Sequence, residues 1–282
     1  MTTTGRRGEL TTTDAGPAST APVPSGPPRP WVAFWAVLRR DIYVTGKELP
    51  SFLAQVLVQP FFFLLVFVVI LGRSGFVSPD YGSIMLPGLI ALNSMLPALQ
   101  AVSLPLVFEL SWTREIDDRL LSPMPVWAVA MEKVAFASLR GILASLLMVP
   151  IGLLMVDVTW PAEGLLPAFV MVVLGALVGA SVGLWLGTAF PPRRLNIMFA
   201  VIFAPLLFTG SVQYPWLTLS DLRWFQVVSA VNPLTYISEG ARASLVPAVP
   251  HIPLWLCVLV PVLAIVLFSL IGIRGFMRRA LD

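Results

Sequence analysis

Charge is scarce in this chain: Asp, Glu, Lys and Arg make up 12% of its 282 residues, against about 25% in soluble globular proteins. Cysteine and histidine are rarer still, with one of each. A lone Cys257 forms no intrachain disulfide and His251 alone builds no metal site, so redox and metal chemistry are not expected. The sequence contains no G-x-x-x-x-G-K-[ST] loop, so ATP is not bound and hydrolysed here by that device. The apolar blocks hold no carboxylate or histidine of the kind that marks a proton-coupled carrier. Nor does any spacing resemble a nucleophile with its base, which argues against an intramembrane enzyme.

What the chain has in abundance is apolar sequence, 57% of all residues, gathered into blocks. A helix needs roughly 20 apolar residues to cross the hydrocarbon core, and six blocks reach about that length. They run from Phe52 to Leu71, Ile84 to Phe108, Val134 to Val156, Leu165 to Phe190, Leu195 to Val212 and Ile252 to Ile273. The expected fold is an all-α integral membrane protein with six transmembrane helices. With the N-terminus inside, 14 of the 18 Lys and Arg residues fall on the inner side and only Arg73, Arg223 and Arg242 outside, while Arg140 sits within a span. The positive-inside rule then places both termini in the cytoplasm.

The first 30 residues, rich in Thr, Pro, Ala and Ser, lack the apolar stretch of a signal peptide and read as a disordered cytoplasmic tail. Residues 31–282 form the membrane domain. It opens on "WVAFWAVLRRDIYVTGKELP", where Trp31, Phe34, Trp35, Leu38 and Ile42 recur at helical spacing. That pattern suits a helix lying in the membrane interface, or a cytoplasmic extension of the first span. In "GALVGASVGLWLG" the four glycines Gly175, Gly179, Gly183 and Gly187 share one helical face, which suits close helix packing in lipid. Polar residues within spans are few. Gln55 and Gln59 share one face of the first span, and Asn93 and Gln100 one face of the second, where they either bond to neighbouring helices or line a path.

Between the second and third blocks stands "TREIDDRLLSPMP". On these features alone the segment reads either as an ordinary solvated loop or as a helix on which Trp112, Ile116 and Leu120 form an apolar stripe, Glu115 and Arg119 are spaced to pair, and Arg114, Asp117 and Asp118 face solvent. Pro123 and Pro125 end that helix before the third span. Before the last block comes "FTGSVQYPWLTLSDLRWFQVVSAVNPLTYISEGARASLVP", broken at Gly210, Pro215 and Pro233. Glu239 and Arg242 are spaced to pair at the outer rim.

Taken in order, the leading interfacial helix, the charged helix closing on "LLSPMPVWAVAMEK" and this penultimate stretch resemble permease subunits of ABC transporters of the type-2 exporter class. The branch with daunorubicin-resistance and multidrug export permeases is the most similar. The resemblance implies that Glu109 to Pro125, with Arg114, Glu115, Asp117, Asp118, Arg119, Leu120, Leu121 and Pro123, form a coupling helix seated in a groove of an ATPase. It implies a re-entrant external segment, a gate or a clamp, marked by Gly210, Pro215, Asn232, Pro233, Glu239 and Arg242. The implied function is efflux of drugs, antibiotics or other amphipathic small molecules across the plasma membrane. ATP and Mg would be bound by the partner ATPase, with no cofactor on this chain, and a second permease, identical or related, would complete the pathway. No nucleic-acid partner is expected. Export of a glycan or lipid stands as the alternative within the class, and a secondary carrier outside it.

Overall fold

The computed structural model describes residues 30–281 apart from 48, 79, 110–124, 195, 196 and 198. Its elements follow the apolar blocks, because a backbone in lipid satisfies its polar groups inside helices. Helix α1 is Pro30–Lys47. Helix α2, Leu49–Leu64, runs on through a π-helical stretch, Leu65–Ile70, and a last turn, Leu71–Arg73. Three long helices follow: α3, Tyr81–Phe108; α4, Val126–Met155; and α5, Ala162–Ala189. A π-helical stretch, Phe199–Phe203, leads into α6, Ala204–Thr209. Then come α7, Arg223–Val231; α8, Pro233–Leu245; and α9, Leu254–Leu281. No strand occurs among the described residues.

Among the described residues, five stretches are long and apolar enough to cross a membrane: Pro50–Arg73, Tyr81–Phe108, Val126–Met155, Ala162–Ala189 and Leu254–Arg279. The block at 195–212 differs. Its described part is the π-helical stretch and α6, and residues 195, 196 and 198 lie outside the description.

Helix α3 is the centre of the bundle, with two-thirds of its apolar window buried, whereas α2 and α9 are the least covered. α5 lies against α3 along its glycine face. A Cβ at Gly179 would stand 2.1 Å from the Met95 carbonyl oxygen, and one at Gly183 2.5 Å from that of Leu99. Those contacts are too close for any side chain, so the two backbones approach as only glycine allows. On the other flank α4 meets α3 at Gly141, and is tied by Ser145 Oγ donating to the Ile90 carbonyl (2.9 Å). α9 packs on α5, where the Ser181 and Ser269 hydroxyls meet at 2.9 Å.

The segments after α2 and α4, together with residues 210–253, gather at one end of the bundle. Gly82 faces Val156, Gly164 faces the Ser244 carbonyl, and the Tyr81 hydroxyl donates to the Gln213 carbonyl at 2.9 Å. The opposite end carries α1, the end of α3, the start of α4 and the end of α9. There Phe34 and Val37 of α1 pack against a cluster containing Val102, Leu106, Val129 and Phe276. Trp31, Trp35 and Ile42 remain exposed along α1.

Candidate functional site

Three places in this bundle hold the polar residues that an apolar chain must justify. The first is the base of the charged segment. Of the residues named for coupling, Arg114, Glu115, Asp117, Asp118, Arg119, Leu120, Leu121 and Pro123 lie outside the described residues, while Glu109 and Pro125 flank them. Glu109 closes α3, and Lys133, two turns into α4, reaches it: Nζ donates to both carboxylate oxygens, at 2.9 and 2.6 Å. With side chains only 10% and 13% exposed, this ion pair is partly shielded from water and fixes the distance between the two ends of the segment. One residue back, Glu132 is fully buried and engaged in interactions of its own.

The second place is a groove between α2, α3 and α4. Gln55 and Gln59 line it from α2, and Asn93 and Gln100 from α3. The four amides do different work. Gln55 Nε2 donates to Gln100 Oε1 across the groove at 3.4 Å, and Gln59 is exposed. Asn93 is committed to packing, its Nδ2 donating to the Ala144 carbonyl on α4 at 2.8 Å. Pro97 and Pro105 in α3 also line this region. Lacking N–H groups, they cannot donate to the carbonyls of Asn93 and Ala101, which adds acceptor character to an otherwise apolar wall. Toward the base the groove opens into a cavity of about 160 Å³ that contains Arg140. Toward the other end it runs out onto an open surface depression lined by Gln59, Phe62, Phe63, Val66 and Phe67.

The third place is the end of the bundle opposite α1, where the penultimate stretch folds back into the bundle. Asn232 caps α8, its side-chain oxygen accepting from the Leu234 N–H (2.9 Å), and its Nδ2 donates to the Leu206 carbonyl and Thr209 Oγ1. Pro233 takes the first helical position, where a missing N–H costs nothing. Helix α8 is then buried along nearly its whole length against α3, α5 and α9. Glu239 and Arg242 pair, but not at an exposed rim: both side chains are fully buried. Arg242 Nη1 donates to Glu239 Oε1, Nε to the Ile84 carbonyl (3.0 Å) and Nη2 to the Ser211 carbonyl (2.8 Å). Glu239 Oε1 also accepts from the Trp216 N–H at 3.0 Å.

One guanidinium thus joins α3, α8 and the loop after α6. Ser211 holds that loop with a φ of +50°, a left-handed conformation costly for a residue with a side chain. Burial raises the pKa of the Glu239 carboxyl and lowers that of Arg242, while the opposite charge of each partner works against both shifts. Gly210 adjoins Leu234, and Pro215 starts the short turn Trp216–Leu219.

The matches to known proteins agree with this arrangement. The family model described as ABC-2 type transporter matches residues 32–246. The chain belongs to the ABC-2 type transporter family. That match takes in α1, the spans up to α5, the charged segment and the whole of α8. Among curated relatives, the inner membrane transport permease YadH of Escherichia coli K12 is 26% identical over 224 residues, covering 74% of this chain and 82% of its own length. The putative transport permease ycf38 of Cyanophora paradoxa is 23% identical over 214 residues, covering 73% of this chain and 72% of its own. No solved structure matches the chain significantly. This ABC-2 family member is therefore a multi-pass membrane protein whose relatives are transport permeases.

Sequence reasoning missed two residues near these places. Nothing in the local spacing around Glu132 singles it out, and its burial follows only from the packing of α4. Arg140 was placed within a span but not in the groove. The signal that would have found it is the general rule that an ionisable residue in a span marks function.

Proposed function

We propose that this chain is the permease subunit of an ATP-driven exporter that moves drugs, antibiotics or other amphipathic small molecules out across the plasma membrane. The observation that carries this reading is the family match over residues 32–246. The sequence has no phosphate-binding loop of its own, so ATP and Mg are bound by a separate ATP-binding-cassette chain. That chain docks on the segment from Glu109 to Pro125, the Glu109–Lys133 pair keeping its two ends at a fixed spacing.

The mechanical link is α3. Its 28 residues make a rod of about 42 Å, with Glu109 just past its base and Ile84, which accepts from Arg242 at the outer node, in its first turn. A push at the base displaces α3 with α5, because the glycine contacts leave no room for independent sliding. Pro87, Pro97 and Pro105 supply the places where the rod can bend. The pathway runs along the groove of Gln55, Gln59 and Gln100, closed on its open side by a second permease subunit. α2 and α9, the least covered spans, provide the surface for that subunit. The charged base and both termini face the cytoplasm.

Reconstitution in vesicles with and without the ATPase tests this. ATP-dependent uptake into inverted vesicles that requires both chains supports it, and transport by this chain alone overturns it.

A further inference from the structure

A cleft of about 410 Å³ lies between α1 and the first turns of α4, walled by Trp31 and Phe34 on one side and by Trp127, Ala128, Met131 and Ala135 on the other. Trp127, Met131 and Ala135 recur every four residues, so one face of α4 lines the cleft for about 12 Å. Apart from the indole N–H groups these side chains are wholly apolar. The protein leaves the cleft open, with Trp31 69% and Trp127 50% exposed.

Along α1 the exposed face turns from aromatic to cationic. Trp31, Trp35 and Arg39 follow at four-residue spacing, about 12 Å from first to last, and Arg40 and Lys47 are exposed beside and beyond them. Lys47 Nζ stands 4.8 Å from the centre of the Tyr43 ring. Helix α9 brings the exposed Arg274 and Arg278 to the same end, since its Phe276 belongs to the cluster against which Phe34 and Val37 pack. The acids there do not answer this charge. Glu109 is paired with Lys133, Glu132 is fully buried, Asp41 is half-buried, and the last two have interactions of their own. Arg39 and Arg40 have no ion-pair partner among the described residues.

We propose that this cleft holds one acyl chain of an anionic phospholipid, with the phosphate of its head on Arg39 and Arg40. The order of groups matches such a molecule: an apolar slot, aromatic rings where chain meets head, then cations. Tryptophan and tyrosine rings settle at that depth of a bilayer. A guanidinium meets phosphate with paired donors, and each cation near the surface adds to the attraction for anionic lipid. A cleft with so few polar groups gives a peptide backbone nothing to bond to, which favours a lipid chain over a protein segment. The lipid fastens α1 to α4 beside Pro125, and this holds with or without the exporter reading.

The test uses the purified full-length chain in nanodiscs of phosphatidylcholine, without nucleotide or a second protein. A trace of phosphatidylglycerol or of phosphatidylcholine, each with an acyl chain brominated near its head, is added and quenching of tryptophan fluorescence is read. The share due to the cleft is the quenching lost on changing Trp31→Phe and Trp127→Phe together, measured in each background. For that share phosphatidylglycerol should be at least about fivefold more effective, as one arginine near an anionic lipid gives. Concentrated salt should cut the preference severalfold in the parent chain. Arg39→Gln/Arg40→Gln should abolish it while phosphatidylcholine still quenches, which reports an intact cleft, and Arg39→Lys/Arg40→Lys should keep most of it. Arg73→Gln/Arg223→Gln removes the same charge from exposed residues at the opposite end and should leave the preference whole. Ala135→Phe fills the cleft and should weaken quenching by both lipids.

Equal quenching by the two lipids at Trp31 and Trp127 overturns the proposal. So does a preference that ignores salt, survives Arg39→Gln/Arg40→Gln or disappears with Arg73 and Arg223, or quenching that Ala135→Phe leaves unchanged. Absence of quenching by either lipid also overturns it, and assigns the cleft to another segment of the chain or to a second copy.

Discussion

Replacing Arg242 by Gln removes one charge from a place that water does not reach. In the parent chain the guanidinium donates to Glu239, to the Ile84 carbonyl and to the Ser211 carbonyl, all at the end of the bundle opposite α1. The variant leaves the Glu239 carboxylate buried without its charge partner, though still accepting from the Trp216 N–H, and strips two backbone carbonyls of a donor. Breaking a buried pair by removing one partner costs about 3–5 kcal/mol, which for a chain of this size corresponds to a fall in melting midpoint on the order of 10 °C. The double variant Glu239→Gln/Arg242→Gln removes both charges, so it should recover part of that loss, with a coupling energy of about 1–3 kcal/mol. The assay is thermal unfolding in detergent followed by size-exclusion chromatography. A midpoint for Arg242→Gln within about 2 °C of the parent, or a double variant that loses the sum of the two singles, would refute the claim that this pair holds α3, α8 and the loop after α6 together.

The glycine contacts give a second expectation: Gly183→Leu pushes a side chain into the Leu99 backbone and should sharply reduce folded yield, read by the monodisperse fraction after purification, and normal yield would remove the packing argument. Lys133→Glu should lower transport per ATP hydrolysed by releasing the base of the charged segment, and the swapped pair Glu109→Lys/Lys133→Glu should restore it; a swap that restores nothing would show that the pair does not act in coupling. Topology is tested with cysteines placed at Ser78 and Ser122 and labelled from one side of intact cells. The native Cys257 is fully buried and gives little background. The two labels should appear on opposite sides, and labelling of both from one side would overturn the assignment.

Composition and blocks were enough to place the five long helices, because a lipid-spanning segment leaves few structural choices. The block at 195–212 was harder to read. Its apolar run carries Pro205 at the start of α6 and a π-helical stretch ahead of it, so hydropathy marks the segment without its backbone form. The burial of α8 was not legible at all. "PLTYISEGARASL" has too many hydroxyls and charges to look like core, and its charged pair finds partners far away in sequence. Arg242 needs Ile84, 158 residues earlier. Thr235 donates to the Ser229 carbonyl across a helix break. Pairing of Glu239 with Arg242 followed from local spacing, but its depth depends on α3, α5 and α9 closing around it. Arg140 is a similar case, since the Phe52 ring beneath it comes from a different span. In the groove, spacing put Gln55 with Gln59 and Asn93 with Gln100. The fold then paired Gln55 with Gln100 and committed Asn93 to α4.

The central claim is that this chain has no motor of its own and receives force through the segment from Glu109 to Pro125. The direct measurement is flux of a fluorescent amphiphile in vesicles that hold the purified chain, with its ATP-binding-cassette partner and ATP added or withheld. Accumulation against a gradient only when chain, partner and ATP are all present, and its loss when Asp117, Asp118 and Arg119 are neutralised together, is the result predicted. Accumulation by the chain alone would contradict it, as would full transport by the neutralised variant.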